Sequence, residues 1–220
     1  MFMNLAARKP VVTTILGGPF KGARVYLNPA NSMRKIFGLY EHVLNGWIAV
    51  HTPGKQFVLD IGANTGYDTY GFAHLLIKSH SENPIVLAFE PNICAELETP
   101  RHWNFYSGCK IEIIEKFVGS QIGPTMTTLN QVYDEYDLGG CGLIKMDIEG
   151  GEVDALIEAN KFLDNPNHDW LIEIHGEKLI PKIAMYFVDR GRPFLIRDLS
   201  PVPILGPEQR SINTYWLMTI

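Results

Sequence analysis

The sequence predicts an α/β protein whose seven-stranded sheet is mostly parallel, with an antiparallel last strand and helices on both faces. Two observations carry this prediction. After residue 56, short apolar runs alternate with segments of helical periodicity, which is typical of parallel strands joined by crossover helices. The last two apolar runs are separated only by a Pro- and Gly-containing stretch, so no helix fits between them and antiparallel pairing is expected.

The predicted elements follow from these patterns in chain order. The strands are residues 57–61, 85–90, 111–118, 142–148, 170–175, 194–198 and 214–219. The helices are residues 67–78, 94–106, 129–136, 151–163 and 177–190. A dinucleotide dehydrogenase usually continues its parallel winding, so the helix-free ending favours a different α/β fold.

The first fifty residues have another pattern. Two β-prone runs, 11–16 and 23–27, flank a glycine-rich stretch and predict a hairpin. Apolar residues then recur at helical spacing from Met33 to Trp47 and predict one amphipathic helix. We therefore expect a hairpin-helix unit at residues 1–50 that covers the substrate side, and a sheet domain at residues 51–220.

The composition excludes several classes of partner. A net charge of −5 and a pI near 5.8 give no broad positive field for a nucleic acid. No apolar run is long enough to span a bilayer, and the first ten residues lack the apolar core of a signal peptide. Three scattered cysteines, Cys94, Cys109 and Cys141, form no disulfide framework or Cys-x-x-Cys pair. We expect a cytoplasmic protein without nucleic-acid or membrane partners; its oligomeric state is not predicted.

A glycine-containing loop follows the first strand of the sheet domain, with the sequence Asp60-Ile61-Gly62-Ala63-Asn64-Thr65-Gly66. Ligands bind at such strand-to-helix turns in open α/β sheets. Gly62 has no Cβ to obstruct a ligand, and Gly66 opens a helix whose amides favour a carboxylate. Asp60 can attract an ammonium group. The spacing is neither the dinucleotide fingerprint nor a phosphate loop, and a turn that binds nothing is the alternative interpretation.

Glu90 and Pro91 end the next predicted strand. A carboxylate there can accept both hydroxyls of a ribose that lies along the strand ends. The alternative is an N-cap acid, with Pro91 as the first residue of a helix. The loop and Glu90 together favour a ribose-bearing cofactor.

A second group of polar residues follows the fourth and fifth strands. Lys145, Asp147 and Glu149 alternate with apolar residues, so we expect them on one strand face, with Lys145 paired to a carboxylate. Glu173 and His175 share a face of the neighbouring strand. These residue types suit acid, base or metal chemistry, but they have no compact metal-ligand spacing, so a divalent cation is allowed yet not expected. The alternatives are that Glu149 only stabilises the start of the following helix, and that His175 has a structural role.

These motifs resemble the FkbM family of methyltransferases over residues 38–176. The shared segments are residues 38–41, 58–67, 89–91, 118–119, 128–129, 145–152 and 173–175, with a weaker similarity at 213–215. The family often has an aspartate at the position of Asn130 and a small residue at that of Gly151. The resemblance implies a class I, Rossmann-like methyltransferase fold, S-adenosylmethionine as donor, and methylation of an oxygen on a sugar, polyketide or related acceptor.

We assign roles to these residues on that basis. The expected donor-binding residues are Asp60, Gly62, Ala63, Asn64 and Gly66 for the methionine end, Glu90 and Pro91 for the ribose, Val118 and Gly119 for the adenine edge, and Asp147 and Glu149 at the acceptor border. The expected catalytic residues are His175 as base, Glu173 to orient it or to bind a metal, and Asp147.

The expected acceptor is a small hydroxylated molecule under a roof of residues 33–47, 121–140 and 200–212, with Tyr40, Trp47, Tyr133 and Tyr136. Two other functions remain open. A nucleotide-dependent oxidoreductase would share Glu90 but lacks the glycine spacing, and a non-catalytic protein could keep the donor site without turnover.

Overall fold

The computed structural model describes residues 9–199, 206 and 213–220. Its strands are β1 (Val11–Thr14), β2 (Arg24–Leu27), β3 (Phe57–Ile61), β4 (Ile85–Phe89), β5 (Lys110–Ile114), β6 (Phe117–Val118), β7 (Met126–Thr127), β8 (Gly142–Met146), β9 (His168–His175), β10 (Phe194–Asp198) and β11 (Thr214–Thr219). Its α-helices are α1 (Met33–Ile36), α2 (Asn45–His51), α3 (Tyr67–Lys78), α4 (Ala95–Glu98), α5 (Leu129–Tyr136), α6 (Glu152–Ile157), α7 (Asn160–Leu163) and α8 (Ile180–Val188).

The main sheet has seven strands in the order β10-β11-β9-β8-β3-β4-β5. Strands β5, β4, β3, β8 and β9 are parallel, and β11 lies antiparallel between β9 and β10. The fold class predicted from the sequence is confirmed, including the antiparallel strand. Because the parallel strands end at one edge, the loops that follow them converge there.

Several predicted elements are shorter or divided. The predicted strand 111–118 is two strands, since β5 ends at Ile114 and β6 pairs with β7 in a separate small sheet. The predicted helix 94–106 is α4 followed by two short 3₁₀ helices. The predicted helix 151–163 is divided into α6 and α7 at Glu158, whose carbonyl oxygen accepts a hydrogen bond from the Asn130 amide.

The single helix predicted from Met33 to Trp47 is wrong. Helix α1 ends at Ile36, a 3₁₀ turn follows at His42–Leu44, and α2 begins at Asn45. Gly38 has a φ of +67° because its backbone crosses that of Gly17, where a Cβ on Gly38 would lie 2.2 Å from backbone atoms. Side-chain periodicity does not report such a backbone contact, so the pattern alone suggested an unbroken helix.

Hydrophobic clusters cover both faces of the sheet. On one face, the Phe20 ring packs edge-on against Tyr67 and Phe72 of α3, at centroid distances of 5.4 and 5.3 Å. The N-terminal hairpin thus shares a core with the sheet. Helices α5 to α8 cover the other face. Among the described residues, no helix combines the length and apolar composition that a membrane span requires.

Candidate active site

A cavity of about 860 Å³ opens at the carboxyl ends of β3, β4, β8 and β9. Its wall includes side chains or backbone of Gly62, Asn64, Glu90, Asp147, Glu149 and His175. Residues from both predicted polar groups therefore face one space. This is the edge where open α/β sheets bind ligands.

The loop between β3 and α3 depends on two glycines with positive φ, +84° at Gly62 and +74° at Gly66. A Cβ on Gly62 would lie 1.9 Å from the carbonyl oxygen of Asp147, so the protein backbone itself requires glycine there. The sequence interpretation had attributed this requirement to a ligand. A Cβ on Gly66 would lie 2.9 Å from the Tyr70 ring.

A buried ion pair lies behind this loop. Asp60 is fully buried, accepts a hydrogen bond from the Thr69 hydroxyl at 2.5 Å, and lies 3.0 Å from the Lys145 ammonium. Strand register explains the pair, because Asp60 of β3 and Lys145 of β8 are neighbours across the sheet. Asp60 therefore supports the loop from beneath. Its cationic partner is Lys145, whereas the sequence suggested the ammonium group of a ligand.

Lys145 connects this pair to the loop and to two further carboxylates. Its Nζ donates to the Gly62 carbonyl at 3.0 Å and lies 3.8 Å from Asp68 and 3.9 Å from Asp147. Burial disfavours the charged ammonium, but Asp60, Asp147 and Asp68 outweigh it and raise the pKa of Lys145. Lys145 is thus held as a cation.

Glu90 joins the loop to the end of β4. Its carboxylate oxygens accept hydrogen bonds from the amides of Asn64 and Asn92, both at 2.9 Å. The alternative role as a helix N-cap is wrong, since α4 begins only at Ala95. Glu90 therefore fixes two loops at the cavity wall.

The predicted adenine edge is only partly on the cavity wall. Val118 lines the cavity, whereas the Gly119 amide donates to the Thr127 carbonyl at 3.0 Å within the β6-β7 pair. Asp154 of α6 holds the next residue, Ser120, through its amide and hydroxyl at 3.0 and 2.7 Å. These hydrogen bonds hold this edge in place, and the Gly119 amide already has an acceptor within the protein.

Asp147, Glu173 and His175 form a polar cluster on the opposite wall. One potential ligand atom from each lies within 4.8 Å of the others. The His175 Nε2 atom is 3.6 Å from Asp147 Oδ1 and 3.8 Å from Glu173 Oε2. Glu173 and His175 are two residues apart on β9, and the loop after β8 adds Asp147. The sequence grouping of these three residues agrees with their placement.

Glu152 was missed as a functional residue. It is fully buried at the start of α6, and its Oε1 accepts from the His175 Nδ1 atom at 2.5 Å. Burial disfavours the charged imidazole, but the Glu152 hydrogen bond and the charges of Glu152, Asp147 and Glu149 outweigh it, so the pKa of His175 is raised above 6.5. Glu152, rather than Glu173, orients the His175 ring.

Comparisons with known proteins agree with this geometry. A family model described as the methyltransferase FkbM domain matches residues 95–194. A crystal structure of methyltransferase FkbM from Methylobacillus flagellatus superimposes with a TM-score of 0.51 at 19% identity, over 74% of this chain and 44% of that chain. The matched part of this chain thus spans less than half the length of that protein.

Other solved structures show the same class I methyltransferase fold. A SAM-dependent O-methyltransferase from Thermotoga maritima has a TM-score of 0.51 at 14% identity, over 90% of this chain and 74% of that chain. Aeropyrum pernix fibrillarin, in complex with natively bound S-adenosyl-L-methionine, has a TM-score of 0.50 at 12% identity, over 83% and 74% of the two chains. No curated protein sequence matches this chain.

Only part of the predicted roof lies at the cavity, including Met126 of the segment 121–140. Tyr40 lines the cavity. Trp47 instead stacks on His51 and donates to the Thr219 carbonyl at the far end of the sheet. Tyr133 packs against Phe162. The Tyr136 hydroxyl donates to Glu112. Most of the predicted roof segment 200–212 lies outside the described residues.

Two further predicted positions differ from the sequence expectation. Strand β8 ends at Met146, so Glu149 lies in the following turn, exposed on the cavity wall, rather than on a strand face with Lys145. Lys35 of α1 was not singled out by the sequence, yet its Nζ donates to the Thr65 hydroxyl at 3.3 Å. No pattern in the sequence pointed to this contact, because 30 residues separate the two.

We predict that Lys145→Met lowers the free energy of unfolding by about 3 to 5 kcal/mol, because it leaves buried Asp60 without its counter-charge. Urea unfolding measures this quantity. Lys161→Met is the matched control, since Lys161 pairs with Asp134 on the surface, and it should cost at most about 1 kcal/mol. Equal effects of the two substitutions would contradict the buried-pair interpretation.

We also predict that the pKa of His175 lies above 6.5 and falls in Glu152→Gln, because the substitution removes the acceptor charge at Nδ1. NMR titration of the imidazole resonances in chelator-treated protein measures both values, with His175→Gln used to assign the signal. A titration that Glu152→Gln leaves unchanged would show that Glu152 does not control the ring.

Proposed function

We propose that this protein is an S-adenosylmethionine-dependent methyltransferase that methylates a hydroxyl oxygen on a small, sugar-like or secondary-metabolite acceptor. One observation carries the proposal. The loop between β3 and α3 and Glu90 line the same cavity as the cluster of Asp147, Glu173 and His175. The FkbM domain and the class I fold support it.

The donor side of the cavity fits S-adenosylmethionine. We assign Gly62, Ala63, Asn64 and Gly66 to the methionine end, with Asp60 beneath them. We assign Glu90 and Pro91 to the ribose, Val118 and Gly119 to the adenine edge, and Asp147 and Glu149 to the border with the acceptor. The backbone amides at the start of α3 and the nearby Lys35 ammonium favour the donor's carboxylate. The natively bound S-adenosyl-L-methionine in the fibrillarin structure is in keeping with a donor site in this fold.

S-adenosylmethionine supplies an already activated methyl group. The protein must therefore align the acceptor, exclude water and accept the hydroxyl proton. In the ion-free protein, His175 Nε2 is the proposed proton acceptor, because Glu152 holds Nδ1 and leaves Nε2 facing the cavity cluster. Its raised pKa makes the neutral imidazole a stronger base. At low pH, however, a smaller fraction of His175 is neutral and able to accept the proton.

The side of the cavity assigned to the acceptor has a tyrosine and several carboxylates. We propose that residues 1–50 form a cover over the site, since Tyr40 lines the cavity and Lys35 contacts the loop at Thr65. A tyrosine ring and several carboxylates suit a polyol, while a net charge of −5 is poorly matched to nucleic acid. A hydroxyl, unlike an amine, needs the nearby base.

We predict that the protein binds S-adenosylmethionine and S-adenosylhomocysteine, and that NAD and ATP do not compete. Isothermal titration calorimetry measures the affinities. Gly66→Val should abolish binding because its side chain meets Tyr70, whereas Gly46→Val, at an exposed glycine with nothing within 4 Å of a Cβ, should not. Tight NAD binding with no heat from either methionine derivative would favour the oxidoreductase alternative.

The same titrations test the ribose contact. Glu90→Ala should weaken S-adenosylhomocysteine binding by about 1 to 3 kcal/mol. It should have a smaller effect on an analogue that lacks both ribose hydroxyls. An equal loss for both ligands would assign Glu90 to loop organisation through Asn64 and Asn92 alone.

We predict S-adenosylhomocysteine release with hydroxylated sugars and metabolites, and a loss of about 10²- to 10⁴-fold in kcat for His175→Ala in chelator-treated protein. His102→Ala, which replaces a histidine with 72% side-chain exposure, is the control and should keep full activity. In wild-type protein kcat should rise with pH through a pKa above 6.5, as His175 becomes neutral. Turnover only with amine or nucleic-acid acceptors would contradict oxygen methylation, and donor binding without any turnover would favour the non-catalytic alternative.

A further inference from the structure

The cluster of Asp147, Glu173 and His175 has the composition of a metal site. Two carboxylates and one imidazole place their potential ligand atoms within 4.8 Å of one another. The atoms come from two neighbouring elements, β9 and the loop after β8, so the rigid sheet fixes their separation. Carboxylate ligands suit Mg²⁺ and Mn²⁺, and one imidazole is compatible with the latter in particular.

The orientation of His175 gives a second reason. Glu152 Oε1 lies 2.5 Å from Nδ1, so a neutral ring carries its proton there and directs the Nε2 lone pair toward Asp147 and Glu173. A carboxylate behind the ring is the arrangement that holds metal-ligating histidines in place. Three electron-pair donors then face one another, which is unfavourable unless a proton or a cation lies between them.

The buried carboxylates around His175 are a third reason. Glu152 and Glu173 are both at least 99% buried, and Glu152 Oε2 has no hydrogen-bond partner among the described residues. Lys145 lies 3.9 Å from Asp147 but is already 3.0 Å from Asp60, so it only partly offsets the cluster. A divalent cation at the cluster would place positive charge beside these buried carboxylates.

We infer that Asp147, Glu173 and His175 bind a divalent cation of the Mg²⁺ or Mn²⁺ type at the acceptor side of the cavity. The sequence did not lead us to expect this ion, because its three ligands have no compact spacing along the chain. Three protein ligands leave open coordination positions, which an acceptor with two adjacent oxygens can fill as a chelate.

This use of the ion rests on the proposed function and deepens it. When the cation is bound, His175 Nε2 is a ligand, and the cation lowers the pKa of the acceptor hydroxyl in place of a base. The hydroxyl proton passes to water, the oxygen lone pair forms the new C–O bond, and the C–S bond of the donor breaks to leave the neutral thioether. The acceptor class is then a vicinal diol or a hydroxy acid rather than an isolated alcohol.

Electron paramagnetic resonance of Mn²⁺ titrated into the chelator-treated full chain tests the site without any substrate. We expect one ion per chain. Glu173→Gln and Asp147→Asn should each weaken binding about tenfold or more, whereas the exposed Glu135→Gln should not. Thermal unfolding identifies variants that fail to fold, and His175→Gln then provides a further ligand substitution.

No Mn²⁺ binding at millimolar ion, or binding that Glu173→Gln, Asp147→Asn and His175→Gln leave unchanged, overturns the inference. Parallel calorimetry with S-adenosylhomocysteine separates it from the proposed function. Mn²⁺ binding at the cluster without donor binding would support the site and contradict the methyltransferase proposal. Methyl transfer at an undiminished rate in chelator, with no Mn²⁺ binding, would support the methyltransferase proposal and contradict the ion.

Discussion

The buried pair of Lys145 and Asp60 is the interaction on which the geometry of the site depends. The Lys145 ammonium neutralises Asp60 beneath the loop and also donates to the Gly62 carbonyl, so it fixes the loop from inside the sheet. Gly62 in turn lies against the Asp147 backbone, too close for any Cβ. The position of Asp147 at the cavity therefore follows from a chain of contacts that begins with this one lysine.

Lys145 also divides the acidic residues of the site into two groups. Asp60 and Asp68 lie next to the Lys145 ammonium. Burial raises the pKa of Asp68 to about 6, although the positive charge of Lys145 opposes this shift. Glu173 and Glu152 lie on the other side, around His175. The first group supports the loop between β3 and α3, and the second surrounds His175 at the opposite wall of the cavity. One side of the cavity thus has carboxylates around a lysine, and the other has carboxylates around a histidine.

The sheet was predictable because each central strand is a short apolar run, and the strand alternation of β9 correctly put Glu173 and His175 on one face. The partner of His175 was not predictable in the same way. Glu152 lies 23 residues earlier at the start of a helix, where an acidic residue is common for reasons of the helix dipole alone. Only the packing of α6 against β9 distinguishes an orienting carboxylate from an ordinary first-turn glutamate.

The N-terminal segment departs furthest from its sequence pattern, and the reason bears on the site. A straight helix from Met33 to Trp47 would satisfy the apolar spacing, but the crossing of Gly17 and Gly38 breaks it and turns Tyr40 toward the cavity. Lys35 lies over the Tyr40 and Tyr67 rings at 4.7 and 5.4 Å while it donates to Thr65. Burial lowers the pKa of Lys35, so its charge is retained at a cost that Asp68 and Glu41 only partly offset. An anionic group at the start of α3 would stabilise that charge, because it would lie beside the Lys35 ammonium at Thr65.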